Sequence, residues 1–215
     1  MALQLVRAPL DEPYTREEAK VSWRVTIDDD DELIDGLISA SREHAEIFTR
    51  RQILTATYIL YMDCFPYGGN DASWLRPNQY VYGTDIRRFR SGNTIMIPRP
   101  PLQKITKIEY LDSSGVLQVL SPLAYGVDKF SEPGRLFLNE GFWWPGTKNI
   151  PNAVRIEFVA GWENADAVPR SLMAGMKLLG GWWYEARESS AEKMMYEIPF
   201  GARTLLTLHK AIEVY

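Results

Sequence analysis

A chain of 215 residues, 46% hydrophobic and 24% charged, fits one large domain or two small ones and can bury a core without staples, which excludes a disordered or fibrous class. The net charge of −4 and a pI near 5.3 argue against a protein built to grip phosphates. The single cysteine, Cys64, excludes an intramolecular disulfide framework and cysteine-based zinc clusters. The segment Met1–Arg7 lacks the apolar run of a signal peptide, and no stretch approaches the ~18 apolar residues of a membrane helix. The expectation is a soluble chain made in the cytoplasm, with no membrane partner.

Thr15-Arg16-Glu17-Glu18 has the pattern of a capping box and predicts a short helix to about Arg24. The run Asp28-Asp29-Asp30-Asp31-Glu32 then opens a stronger helix, because carboxylates suit the positive end of a helix dipole. Leu33, Ile34, Leu37, Ile38, Ser41, Ala45 and Phe48 recur at helical spacing, and Arg50 and Arg51 close the last turn. From Ile53 to Cys64 the period changes to the alternation of a strand. Residues 66–92 form a long loop. Strand-like pieces follow at Thr94–Ile97, Ile105–Leu111, Val116–Leu120, Tyr125–Phe130, Leu136–Leu138 and Val154–Val159, separated by Gly and Pro turns that favour an antiparallel sheet. Helix returns after Pro169 and runs to about Glu188 with Leu172, Met173, Met176, Leu179 and Trp183 on one stripe. Residues 189–198 read as a loose connection, and a last helix runs from Pro199 to Tyr215 on Leu205, Leu208 and Ile212.

The expected class is therefore α+β. Residues 1–52 and 165–215 make a small α-helical bundle from the N- and C-terminal helices, and residues 53–164 make an inserted antiparallel β-sheet domain.

Chemistry is hard to find. His44 and His209 are far apart in sequence and read as structural, since a metal site needs several converging donors. Cys64 reads as a small buried hydrophobe rather than a nucleophile. The acids at 28–32 lack the glycine and the terminal glutamate of a calcium loop, so capping explains them. No phosphate loop, nucleophile elbow or zinc-protease motif occurs. Neither a catalytic residue nor a cofactor is assigned.

Arg87, Arg88 and Arg90, interleaved with Phe89, read first as a solvated loop tip and second as a contact for DNA or an acidic partner. Trp143-Trp144 reads as core or subunit-interface packing ahead of an exposed stacking platform. A carbohydrate-binding module or small hydrolase using that tryptophan pair and two carboxylates is the alternative from another class.

The succession Glu17-Glu18-Ala19-Lys20, Asp30-Asp31-Glu32-Leu33-Ile34, Leu37-Ile38-Ser39-Ala40-Ser41-Arg42 and Thr49-Arg50-Arg51 resembles the head–tail connector (adaptor) family of tailed bacteriophages. Ile97-Pro98-Arg99-Pro100-Pro101-Leu102 is similar to the entry of the β insertion in that family's longer members, and Asn152-Ala153-Val154-Arg155-Ile156 with Ala160-Gly161-Trp162 to its last strand. Val168-Pro169 and Pro199 through Leu206 resemble the closing helices. The long 66–92 insertion and the ending Thr207-Leu208-His209-Lys210 depart from the pattern.

The resemblance implies a structural, non-enzymatic virion protein at the head–tail junction. Its copies, typically twelve, would form a ring under the portal protein, extend the DNA channel without sequence-specific binding, and support a tail-completion or stopper protein. It also implies that the C-terminal segment docks into the portal, here Pro199, Phe200, Leu205, Leu208, Ile212 and Tyr215. A tail-terminator or stopper ring is the alternative within virion proteins.

Overall fold

The computed structural model describes residues 1–66, 94–186 and 199–211. Strand β1 (Ala2–Arg7) opens the chain, followed by helices α1 (Arg16–Trp23) and α2 (Asp31–Thr49). The β-rich part holds β2 (Ala56–Met62), β3 (Thr94–Ile97), β4 (Leu102–Leu111), β5 (Leu117–Val119), β6 (Tyr125–Asp128), β7 (Gly134–Leu138) and β8 (Val154–Ala160). Helices α3 (Arg170–Ala186) and α4 (Phe200–Thr207) close it. The fold is α+β. The 67–92 part of the expected loop, residues 187 and 188 of the α3 expectation, and the 189–198 connection lie outside the described residues.

Among the described residues these strands pair antiparallel, and one isolated parallel bridge links Leu54 with Trp162. One sheet has the order β1-β2-β8-β4-β5 and the other β3-β7-β6. Inward residues of both sheets, among them Tyr58, Leu60, Ile97, Ile108, Leu136, Ile156 and Phe158, share one core. A second core lies among the helices, with Ile34, Ile38, Leu172, Met176 and Leu206, and takes in Ile53 and Leu54 from the chain entering β2. Strand β1 goes beyond the sequence reading. Only Leu3 of its six residues is half-buried, so it carries no strong alternation and exists because its backbone pairs with β2.

The Thr15 hydroxyl caps α1 by accepting from the Glu18 amide at 3.2 Å, as the capping pattern predicts. Helix α2 begins at Asp31 and ends at Thr49, one residue before the expected closing arginines. Arg50 takes a left-handed conformation at the cap (φ 58°), and Arg51 lies beyond the helix, where it is buried. The buried face of α2 includes Arg42, Glu46 and Thr49, while Leu33 is exposed. Paired charge can occupy an interior stripe that hydrophobic spacing alone does not reveal.

Helix α3 carries small residues where its neighbours press in. A Cβ on Gly180 would lie 2.5 Å from the Trp23 ring, whose Nε1 donates to the Lys177 carbonyl at 2.8 Å. Leu206 of α4 fills the space over Gly175. Helix α4 stops at Thr207 and not at Tyr215, because the chain turns: the His209 and Lys210 amides donate to the Leu206 and Thr207 carbonyls at 3.1 Å each. The Ala211 amide then donates to the Thr49 carbonyl at the end of α2 at 2.8 Å. Ile212 and Tyr215 lie outside the described residues.

Between the two cores lies a polar joint. Glu46 accepts from Gln52 Nε2 at 2.6 Å, the Ile53 amide at 3.2 Å and Arg42 at 3.2 Å. Gln52 accepts in turn from the Tyr58 hydroxyl, its amide donates to the Pro100 carbonyl at 3.1 Å, and Arg99 donates to the Glu46 carbonyl at 2.9 Å. Burial pushes the Glu46 carboxyl above its ordinary value, with Arg42 and the Ile53 amide opposing. Glu46→Ala should cost about 3 kcal/mol in a urea titration at neutral pH, since it strands partners in a dry site. The raised carboxyl also has a pH signature. The folded state takes up a proton before the unfolded one does, so wild type should gain stability over Glu46→Gln as pH falls from neutrality toward the ordinary glutamate value of 4.5.

Candidate docking surfaces

The C-terminal residues named from the sequence divide between inside and outside. Ala202 and Leu206 are fully buried and hold α4 on the bundle, whereas Phe200 is 85% exposed and Leu208 is 70% exposed. Pro199 and Leu205 are half-buried, with Leu205 leaning toward Gly175. The helix therefore has an anchoring face and an exposed face on which Arg203, Thr204 and Thr207 stand between the apolar Phe200 at its start and Leu208 just past its end. Leu206 was missed as an anchor, although it sits four residues beyond Ala202, the spacing of a single helix face.

The tryptophan pair also divides. Trp143 is 79% exposed, while Trp144 stacks on Phe65 with centroids 4.8 Å apart and an interplanar angle of 10°. The two rings do not form one platform. The surrounding segment is tied at both sides of β5. The Asn139 amide donates to the Ala124 carbonyl at 3.0 Å and the Lys148 amide to the Leu111 carbonyl at 2.9 Å. Phe142 and Trp143 are exposed in this segment, and Val116, Leu117, Val119 and Leu123 are exposed in and beside β5. Arg87, Arg88 and Arg90 lie outside the described residues.

A third apolar tip is Phe130, 96% exposed, in the turn between β6 and β7. Nothing in the sequence singles it out, because a lone aromatic in a turn has no periodicity. The turn is stiff. The Asp128 carboxylate accepts from the Phe130 amide at 2.9 Å, the Ser131 amide at 3.2 Å, the Ser131 hydroxyl at 2.7 Å and Arg135 at 2.7 Å. These donors hold its carboxyl far below the ordinary range, led by Ser131 and then Arg135.

The residues weighed for chemistry do not converge. His44 packs against Phe48 and, edge on, against Trp183, and burial lowers its basicity. His209 Nε2 lies 2.7 Å from the Ser171 hydroxyl, and burial, then Arg51, lower its basicity. Cys64 is exposed and not the buried hydrophobe expected, because β2 ends at Met62 and Phe65 takes the inward position. Among the described residues no three His, Cys, Asp or Glu side chains are grouped to hold a metal, and no helix is long and apolar enough to cross a membrane. The acids after residue 28 serve α1 and α2: Lys20 pairs with Asp28 at 2.7 Å, and Arg16 pairs with Asp31 at 2.8 Å and with Asp35.

No protein-family model matches the sequence, and no curated protein matches it. The fold does have solved counterparts. It is similar to a chain in the neck of an empty gene transfer agent particle computed with C6 symmetry and to one in the virion of the native particle. Each comparison gives a TM-score of 0.72 at 18% identity and covers 100% of this chain and 98% of the other. A chain in the neck of the native particle computed with C12 symmetry aligns over the same shares at a TM-score of 0.67 and 18% identity.

The divided tryptophan pair gives a simple check on this surface. Trp143→Ala should change stability by no more than about 0.5 kcal/mol, as exposed substitutions do. Trp144→Ala should cost about 2 kcal/mol or more through the lost stack on Phe65, read by chemical denaturation.

Proposed function

We propose that the chain is a structural protein of the neck of a tailed-phage-type particle, a head–tail connector whose copies form a ring under the portal protein. The observation that carries this reading is the likeness to neck chains along its full length, supported by the order of motifs in the sequence. The ring, with about twelve copies, extends the DNA channel and supports attachment of a tail-completion or stopper protein. Net charge agrees with a conduit through which DNA slides, since an acidic chain does not hold phosphates. The protein acts by docking and carries no catalytic role. The helical core and the sheet core correspond in this reading to a bundle and an inserted domain.

The portal-facing surface is the free face of α4 with the residues that follow: Pro199, Phe200, Leu205 and Leu208, continuing to Ile212 and Tyr215. Apolar side chains already in water cost little to hand over to a partner pocket, and burying each contributes favourably. A stopper or tail-terminator ring is the second reading, because a likeness to neck chains does not by itself choose among the rings of a neck. The carbohydrate reading is weaker, since Trp144 is not free to form a platform with Trp143.

The test is the mass of the purified chain, alone and mixed with its matching portal protein, by light scattering behind size exclusion. Co-elution as a ring-on-ring complex is the expected result. Phe200→Ser with Leu208→Ser should weaken it at least tenfold while leaving the melting temperature near wild type, because neither side chain is in the core. No complex with a folded portal would turn the assignment to the stopper reading. A complex indifferent to both substitutions would keep the connector role and remove the α4 face from it.

A further inference from the structure

We propose that Arg51 is a positioning residue that couples the C-terminal segment to the β6–β7 turn, so that engagement of the segment and the setting of the Phe130 tip are one event. The use of this link in docking rests on the connector reading; the link itself belongs to the free chain.

One guanidinium serves both elements. Arg51 Nε donates to the His209 carbonyl at 2.5 Å, while its two terminal nitrogens take both oxygens of Glu132, one at 2.8 Å. The Arg51 side chain is only 10% exposed while Glu132 is 45% exposed, so water screens the pair from the carboxylate side and the arginine is held mainly by its buried end. The fork geometry is specific to arginine; an ammonium offers a single point of charge and cannot face three acceptors in a plane.

What hangs on each side is stiff. On one side the His209 ring meets the Ser171 hydroxyl at 2.7 Å, and the Ala211 amide is held by the Thr49 carbonyl. On the other, Glu132 follows directly on the turn that Asp128 ties together through the Phe130 and Ser131 amides, so a displaced Glu132 is expected to carry that turn with it. Exposed apolar side chains adjoin both ends of the fork, Leu208 before His209 and Phe130 before Ser131 and Glu132. Leu208 and Phe130 are exposed, so core packing of these side chains does not explain why the neighbouring His209 carbonyl and Glu132 carboxylate meet the same buried arginine.

Hydrogen exchange on the full chain tests the link without a partner. Glu132→Gln, on a half-exposed turn, weakens the fork without emptying a core position. It should speed exchange of the Ala211 amide about fivefold or more while amides of β8 keep their rates. Coupling is reciprocal, so Ala211→Pro, which removes the donor to Thr49, should speed exchange of the Ser131 amide. Arg51→Lys should loosen both sites, because a lysine keeps the charge and loses the fork. An Ala211 rate unchanged by Glu132→Gln, or a lysine variant at wild-type rates in both places, would overturn the proposal. A portal that fails to bind would instead count against the connector reading, with the free-chain exchange still deciding the coupling.

Discussion

The carboxylate of Glu46 sits where the chain leaves the helices and enters the sheet, and much of the molecule is arranged around keeping it satisfied. Taking a carboxylate out of water costs several kcal/mol unless donors replace the solvent. Here the donors come from three directions: the next turn back in α2 (Arg42), the linker (Gln52 and the Ile53 amide), and, at its own carbonyl, Arg99 from the approach to β4. Because Gln52 also reaches Tyr58 and the Pro100 carbonyl, a buried polar group joins the helical core to the sheet core. An apolar joint would tolerate sliding. A hydrogen-bonded one admits a single relative placement, because any shift leaves a donor or acceptor unpaired in a dry site.

Next to that joint the chain also reaches the C-terminal segment. Residues following Thr49 include Arg50 at the helix cap and Arg51 at the fork, so a single turn of chain carries both the connection to the sheet and the hold on the C-terminal segment. The outer face of the five-stranded sheet is of a different kind. Arg155 stands opposite Glu109 and Glu157 opposite Lys107 across the ladder, giving a face of alternating charge that is content in water. Exposed apolar side chains occur at the Phe130 tip, the Trp143 segment, Phe200 and Leu208, and also on the helices at Val21, Ile47 and Leu178.

Much of this was legible beforehand. The β3 limits match the sequence reading, and the other expected strands lie within a few residues of theirs, because turn residues and β-branched alternation mark them from both sides. The capped start of α1 follows from local chemistry alone. What escaped shares a cause: it depends on a partner elsewhere in the chain. Strand β1 is defined by the strand it joins; the interior position of Arg42 and Glu46 by each other; the opposite fates of Trp143 and Trp144 by Phe65. The spacing of Leu208 and Ile212 continues a helix in the sequence, whereas the chain leaves the helix after Thr207 and the Ala211 amide is held by the Thr49 carbonyl. Of the exposed apolar residues, Phe200 and Leu208 stand among those named from the sequence, whereas the Phe130 tip has no signal there.

The two rims of the five-stranded sheet carry one more consequence. Strand β1 is interrupted by an irregularity between Leu5 and Arg7, and β5 is only three residues long, with Pro122 shortly after it. An uninterrupted rim of backbone amides and carbonyls is an invitation to open-ended polymerisation, each added chain exposing the same rim again. Broken and shortened rims withdraw that invitation. Such rims disfavour edge-to-edge growth, so in the proposed ring any contact between copies would rest on shape and side chains, which can close into a finite assembly.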